Sequence, residues 1–139
     1  MSQVTCKPNQ AVNPFFFADS FFREFEKAEI QRTFKPRVDV LQKEKSSVVV
    51  VDLPGVSKES IDIQVEKGVL HIKGERPAPE FEEGSEYYLR ERGYGNFERR
   101  FRLGESLDPE AVQAKFENGV LAVEINRKEE SLARKVEVN

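Results

Sequence analysis

The chain is poor in the side chains that most often build reactive sites. Its 139 residues hold one cysteine, Cys6, one histidine, His71, one methionine and no tryptophan. A single cysteine excludes an internal disulfide, and one cysteine with one histidine falls short of the usual four-ligand zinc site. No P-loop, nucleophile elbow or H-E-x-x-H sequence occurs. Lys and Arg number 22 against 25 Asp and Glu, a net charge of -3, without the basic excess of a dedicated nucleic-acid binder. No run of about 18 apolar residues is present, so no helical membrane span is expected. No apolar h-region follows Met1, and the lack of a signal peptide with the single cysteine points to a reducing cytoplasm. Neither a cofactor, a metal nor a catalytic residue is expected, and an enzyme is not the reading these absences favour.

What is present is a series of short alternating runs. Arg37 to Leu41 alternates, Ser47 to Leu53 is a β-branched run stopped by Pro54-Gly55, and Ile61 to Val65 alternates again. Lys67-Gly68 then turns the chain into Val69 to Lys73, which predicts a hairpin over 61–73. Phe97, Arg99, Phe101 and Leu103 share one face of the next run, and Asp108-Pro109-Glu110 reads as a turn or helical turn. Val112 to Phe116, Asn118-Gly119 and Val120 to Ile125 form a second predicted hairpin. Tyr87 to Glu91 reads as a short strand inside a long Pro-, Glu- and Gly-rich excursion. Seven or eight short strands without long helices predict an all-β, immunoglobulin-like antiparallel β-sandwich over 36–127.

The ends differ in kind. Residues 1–35 hold seven of the eleven Phe, and Phe17, Phe21 and Phe25 fall on one helical stripe. Phe15, Phe16 and Phe22 widen that stripe beyond what a short lone helix buries. Two readings stand: a partly helical arm packed on its own domain, or a sticky, partly disordered arm made for other chains. Residues 128–139 form a charged, flexible tail in which only Val136 and Val138 alternate. The tail is either frayed or a short strand that adds to another subunit's sheet.

In order along the chain, four segments resemble the small heat-shock proteins, whose core is the α-crystallin domain. Leu53-Pro54-Gly55-Val56 is similar to the family's LPG segment. Tyr94-Gly-x-Phe97-x-Arg99-x-Phe101-x-Leu103 is similar to its YGxFxRxFxL segment. Ala114-x-x-x-Asn118-Gly119-Val120-Leu121 is similar to its AxxxNGVL signature, and Val136-x-Val138 to its terminal I/V-x-I/V motif. The excursion of 75–96 resembles the bacterial and plant branch. Three departures accompany the match: Leu103-Gly104 for Leu-Pro, Asn126-Arg127 for Pro-Lys, and Val for Ile at both tail positions. The last buries roughly one methylene less per site, about 0.8 kcal/mol each.

The resemblance implies an ATP-independent holdase chaperone that binds partly unfolded proteins under stress and prevents their aggregation. Phe15, Phe16, Phe17, Phe21, Phe22 and Phe25 would contact clients. It implies a dimer by strand exchange, in which Tyr87, Tyr88, Leu89 and Glu91 cross to Val38 and Val40 of a second copy. A local loop hairpin is the alternative for the two tyrosines. Arg99 would sit at the dimer interface, bridged to Glu86 or Glu91, or else snorkel at an edge. Ile61, Ile63 and Val65 with Val112, Ala114 and Phe116 would form the groove for Val136 and Val138, or else fill the core. Dimers would assemble into larger homo-oligomers, a dodecamer or 24-mer in similar proteins, and hand clients to ATP-dependent refolding chaperones. No nucleic acid and no membrane span are implied. The rival reading is a monomeric or dimeric sandwich co-chaperone or adaptor for one partner, similar to p23-type domains.

Overall fold

The computed structural model describes residues 33–131 and 135–139. Eight strands build two sheets. The first runs in the order β1 (Thr33–Phe34), β6 (Gly95–Arg102), β5 (Val69–Arg76), β4 (Asp62–Glu66). The second runs β2 (Val38–Gln42), β3 (Ser46–Asp52), β8 (Val120–Arg127), β7 (Leu107–Glu117). All pairings are antiparallel except β1 with β6. The β-sandwich expected from the alternation is therefore present, with a 3₁₀ turn at Lys58–Ser60.

Strand register explains the core. Val49 and Val51 of β3 stand opposite Val123 and Leu121 of β8, which places all four on the inward face. Leu70 and Ile72 of β5 pair across from Val65 and Ile63 of β4 in the other sheet. With Leu53, Val56, Phe97 and Ile125 they form one buried cluster. Each fully buried Leu or Ile contributes roughly 1.5 to 3 kcal/mol by leaving water, so this cluster holds the sheets together.

Both predicted hairpin turns form. Lys67 and Gly68 have φ of 50° and 74°, Asn118 and Gly119 of 51° and 74°, the paired positive values that a two-residue type I′ turn requires. The second turn also docks on the LPG segment, where the Leu53 N–H donates to the Gly119 carbonyl at 2.7 Å. A Cβ on Gly119 would lie 3.0 Å from the Pro54 Cα, so the turn needs glycine for space as well as for φ.

Three local expectations are corrected. Asp108-Pro109-Glu110 is neither a turn nor helical. It is a bulge inside β7, whose register with β8 shifts between Leu107 and Val112. Thr33–Phe34, read as part of the arm, is a strand of the first sheet, and its Phe34 ring packs 5.5 Å from Phe97. No strand forms at Tyr87 to Glu91, nor does a local hairpin. A strand persists only with a ladder partner for its backbone groups, and none pairs with this segment among the described residues. The Phe-rich stripe from Phe15 to Phe25 lies outside the described residues.

Candidate functional site

The unusual features of this sandwich are the edges it leaves open. β2 bonds to β3 on one side and ends its sheet on the other. Its free side presents a row of unpaired backbone groups. Val38 and Val40 share the inward face with Val51 and Val49, while Leu41 stands beside Val48 on the outward face. Val40 and Leu41 are nonetheless 53% and 51% exposed. Apolar side chains on an unpaired edge are what a second strand covers.

Residues 81–92 belong to a compact unit separate from the sandwich. Every residue of this segment is exposed, including Phe81, Tyr87, Tyr88, Leu89 and Glu91. The Phe81 and Tyr87 rings meet edge-on at 5.4 Å, and the Arg90 guanidinium lies 4.9 Å over Tyr87. The Ser85 N–H donates to the Glu82 carbonyl at 3.1 Å, a tight turn with Gly84 at φ 86°. The segment thus holds local order without hydrogen-bonded strands.

Arg99 stands opposite Ile72 on β6, on the inward face with Phe97 and Phe101, as the alternation predicts. It is half-buried. Its Nη1 donates to the Pro36 carbonyl at 2.9 Å, and its guanidinium lies 5.5 Å from the Phe101 ring. Within the sandwich it is held by main chain and an aromatic face, and it ties β6 to the link between β1 and β2. A second inward arginine was not anticipated. Arg76 is buried, donates from Nη1 to the Gly93 carbonyl at 3.0 Å and stacks 4.1 Å from the Phe34 ring. It pinches the base of the long excursion between β5 and β6.

The two strands of the expected groove are also edges: β4 ends one sheet, opposite β1, and β7 ends the other, opposite β2. Ile63 and Val65 face Ile72 and Leu70, and Val112, Ala114 and Phe116 face Ile125, Val123 and Leu121. Ile61, Ile63, Val65, Val112 and Phe116 are half-buried against the core. Ala114 points inward by register but is exposed. An inward position that remains open to solvent marks a gap along β7. Residues 135–139 form no regular structure, and Val136 and Val138 are 81% and 96% exposed.

The outward faces, by contrast, are closed by charge. Arg100 contacts Glu98 at 2.7 Å, Lys73 meets Asp62 at 3.1 Å, and His71 Nδ1 lies 3.9 Å from Glu98. The Arg100 hydrogen bond, with the nearby charges of Arg100, His71 and Lys73, holds the Glu98 carboxyl below its ordinary range. On the other sheet the Ser46 hydroxyl donates to Glu124 at 2.6 Å and Lys43 joins at 3.2 Å. Those bonds, Ser46 first, lower Glu124 as well. Among the described residues, no group of three or more His, Cys, Asp or Glu is placed to hold a metal, and no helix is long and apolar enough to cross a membrane.

Comparison with known proteins gives this geometry its context. The family model described as Hsp20/alpha crystallin family matches residues 39–139. "Small heat shock protein C2" of Rickettsia felis is 35% identical over 86% of this chain and 80% of its own length. The "22.0 kDa heat shock protein" of Arabidopsis thaliana is 39% identical over 66% of this chain, which spans only 47% of that protein. The crystal structure of hspA from Xanthomonas axonopodis superposes with a TM-score of 0.63 at 38% identity, covering 68% of this chain and 95% of that one. A small heat-shock protein from Xylella fastidiosa, described as having a distinct high order structure, gives 0.63 at 36% identity over 75% of this chain and 95% of its own. The chain belongs to the Hsp20/α-crystallin family, the small heat-shock proteins, a family of chaperones. The adaptor alternative is not favoured.

Proposed function

We propose that the protein is an ATP-independent holdase, which binds partly unfolded chains and keeps them from aggregating. The observation that carries this reading is the coincidence of open edges with exposed apolar side chains. Val40 and Leu41 lie on an edge strand with one free side, Tyr88 and Leu89 lie on an exposed segment, and Val136 and Val138 lie on a tail of five exposed residues. Surfaces of this kind are a liability for a monomer and docking rails for an assembly.

In this reading residues 81–92 cross to β2 of a second copy, and Tyr87, Tyr88 and Leu89 lie along Val38 and Val40. Arg99, half-buried beside the β1–β2 link, borders that interface. Val136 and Val138 enter the groove between β4 and β7, where the opening at Ala114 gives a β-branched side chain room. Dimers assemble through these tails, and the phenylalanines at 15, 16, 17, 21, 22 and 25 contact clients. The chain divides into an arm, a sandwich and a tail, and the sandwich begins near Thr33. Cytoplasmic clients pass onward to ATP-dependent refolding chaperones. Anything that holds the non-native form keeps it from self-association by mass action.

Light scattering of a heated, unrelated enzyme tests the reading. The full chain suppresses aggregation at equimolar subunits without nucleotide. Unchanged scattering at that ratio would remove the holdase function.

A further inference from the structure

The longest edge of the sandwich carries the irregularity in its pairing. β7 spans 11 residues and ends its sheet, whereas the edge strands β2 and β4 span five each and β1 two. Among the described strand pairs, only β7 with β8 shifts register. A long regular edge is a template for pairing with further chains. The two-residue turn at Asn118-Gly119 is closed by the pair of Glu117 with Val120, so Glu117, Lys115 and Gln113 spend their backbone groups on β8. By alternation Phe116, Ala114 and Val112 turn theirs outward. They form a rail roughly 13 Å long, at about 3.3 Å per residue. Past this rail most donors are withdrawn. The Glu110 N–H donates to Asp108 Oδ1 at 2.9 Å, Pro109 has no N–H, and the Leu107 N–H donates to the Gly104 carbonyl at 3.0 Å. Pro109 and Glu110 are exposed, so the donors are missing where other chains can reach.

We propose that Asp108, Pro109 and Glu110 form a gate on this edge. It admits the short tail strand of a second copy along Val112–Phe116 and rejects a longer strand, above all β7 of another copy. Open-ended stacking of sheets therefore does not start on β7. The gate works as a length limit. A strand centred on Val136 and Val138 needs only the rail, whereas a whole second β7 would press its carbonyls against positions that hold no free donor. Each such carbonyl loses its water and gains no partner, which costs more than a bond left unmade in solvent. Bulges and edge prolines blunt sheet edges by this route. Asp108 is the positioning residue, because its carboxylate holds the Glu110 N–H away from the edge. The admitted occupant rests on the tail-docking reading above, and the rejection of β7 does not.

The double variant Asp108→Ala, Pro109→Ala returns the donors at 109 and 110. One restored backbone bond changes an association constant by about 2- to 12-fold, so two raise edge pairing roughly tenfold. Thioflavin T fluorescence and pelleting of the full chain, held below its unfolding midpoint, read the outcome. The double variant is expected to form sheet-rich aggregate about tenfold faster than the wild type, with circular dichroism verifying that the sandwich is folded at the start. Asp108→Asn keeps an oxygen for the Glu110 N–H and matches the wild type, while Asp108→Ala alone aggregates faster, although both remove the charge. Ala114→Pro added to the double variant deletes the central outward donor of the rail and returns the wild-type rate. Hydrogen exchange on the pellet reads the same contact without that proline, as protection of the amides of 108–116. A double variant as soluble as the wild type, or a pellet that leaves these amides unprotected, overturns the gate. Equal rates for Asn and Ala at 108 overturn the part given to the Asp108 oxygen. Ala114→Pro alone separates the tail reading: oligomers of unchanged size by light scattering refute tail docking on β7, while the gate still stands or falls on the double variant.

Discussion

At Gly74 the two halves of the first sheet meet without room for a side chain. A Cβ there would lie 2.5 Å from the Ser60 carbonyl oxygen and 2.7 Å from the Phe97 ring. Both neighbours are fixed, one as backbone and the other as a buried core side chain. Gly74→Ala is therefore expected to destabilise the sandwich by about 1 to 3 kcal/mol, the usual cost of overpacking. Urea unfolding followed by circular dichroism reads this as a lower midpoint with an unchanged slope. An unshifted midpoint would mean that β5 has slack at this point. Gly74 looks unremarkable in the sequence, where it simply ends the run Val69 to Lys73. Its role depends on a tertiary contact that local pattern does not encode. Arg99 is the opposite case. Its place on the inward face follows from the spacing of Phe97, Phe101 and Leu103, but its bond to the Pro36 carbonyl links residues 63 positions apart and is invisible to periodicity.

Among the strands, legibility follows burial. β3, β4, β5 and β8 pair within the chain and bury one face, so alternation marks them to within a few residues. β1 is two residues long, too short for any period, and owes its place to Phe34 against Phe97. The bulge in β7 reads as a turn because Asp-Pro-Glu is turn chemistry, yet strand pairing resumes on both sides of it. Tyr87 to Glu91 has strand composition without a strand, since no strand pairs with its backbone among the described residues. The tail follows the same logic. Burying Val136 and Val138 gives roughly 3 to 5 kcal/mol, and ordering the tail backbone costs about 1 to 2 kcal/mol per residue. On the proposed reading one tail contact is marginal, and only several acting together would hold. Val136→Gly with Val138→Gly is expected to shift the assembly to its smallest unit while the sandwich stays folded. Size-exclusion chromatography with light scattering checks it. An elution profile unmoved by the pair would assign assembly to other segments.

For the whole molecule, the core is self-sufficient and the surfaces are not. Among the described residues, the buried cluster draws every member from residues 49–125. Removal of residues 1–32 is expected to leave a folded dimer that protects clients several-fold less well. The cut must spare Phe34, whose ring contacts both Phe97 and Arg76. Client scattering and circular dichroism on the same sample check both halves of that expectation. Full protection by the truncated chain would move client binding onto the sandwich.

Native mass spectrometry of the full chain bears most directly on whether these open edges are assembly sites. Oligomers in multiples of two are expected, releasing dimers as the temperature rises. A monomer that persists at micromolar concentration would contradict the claim, because β2, residues 81–92 and the tail would then be surfaces that nothing covers.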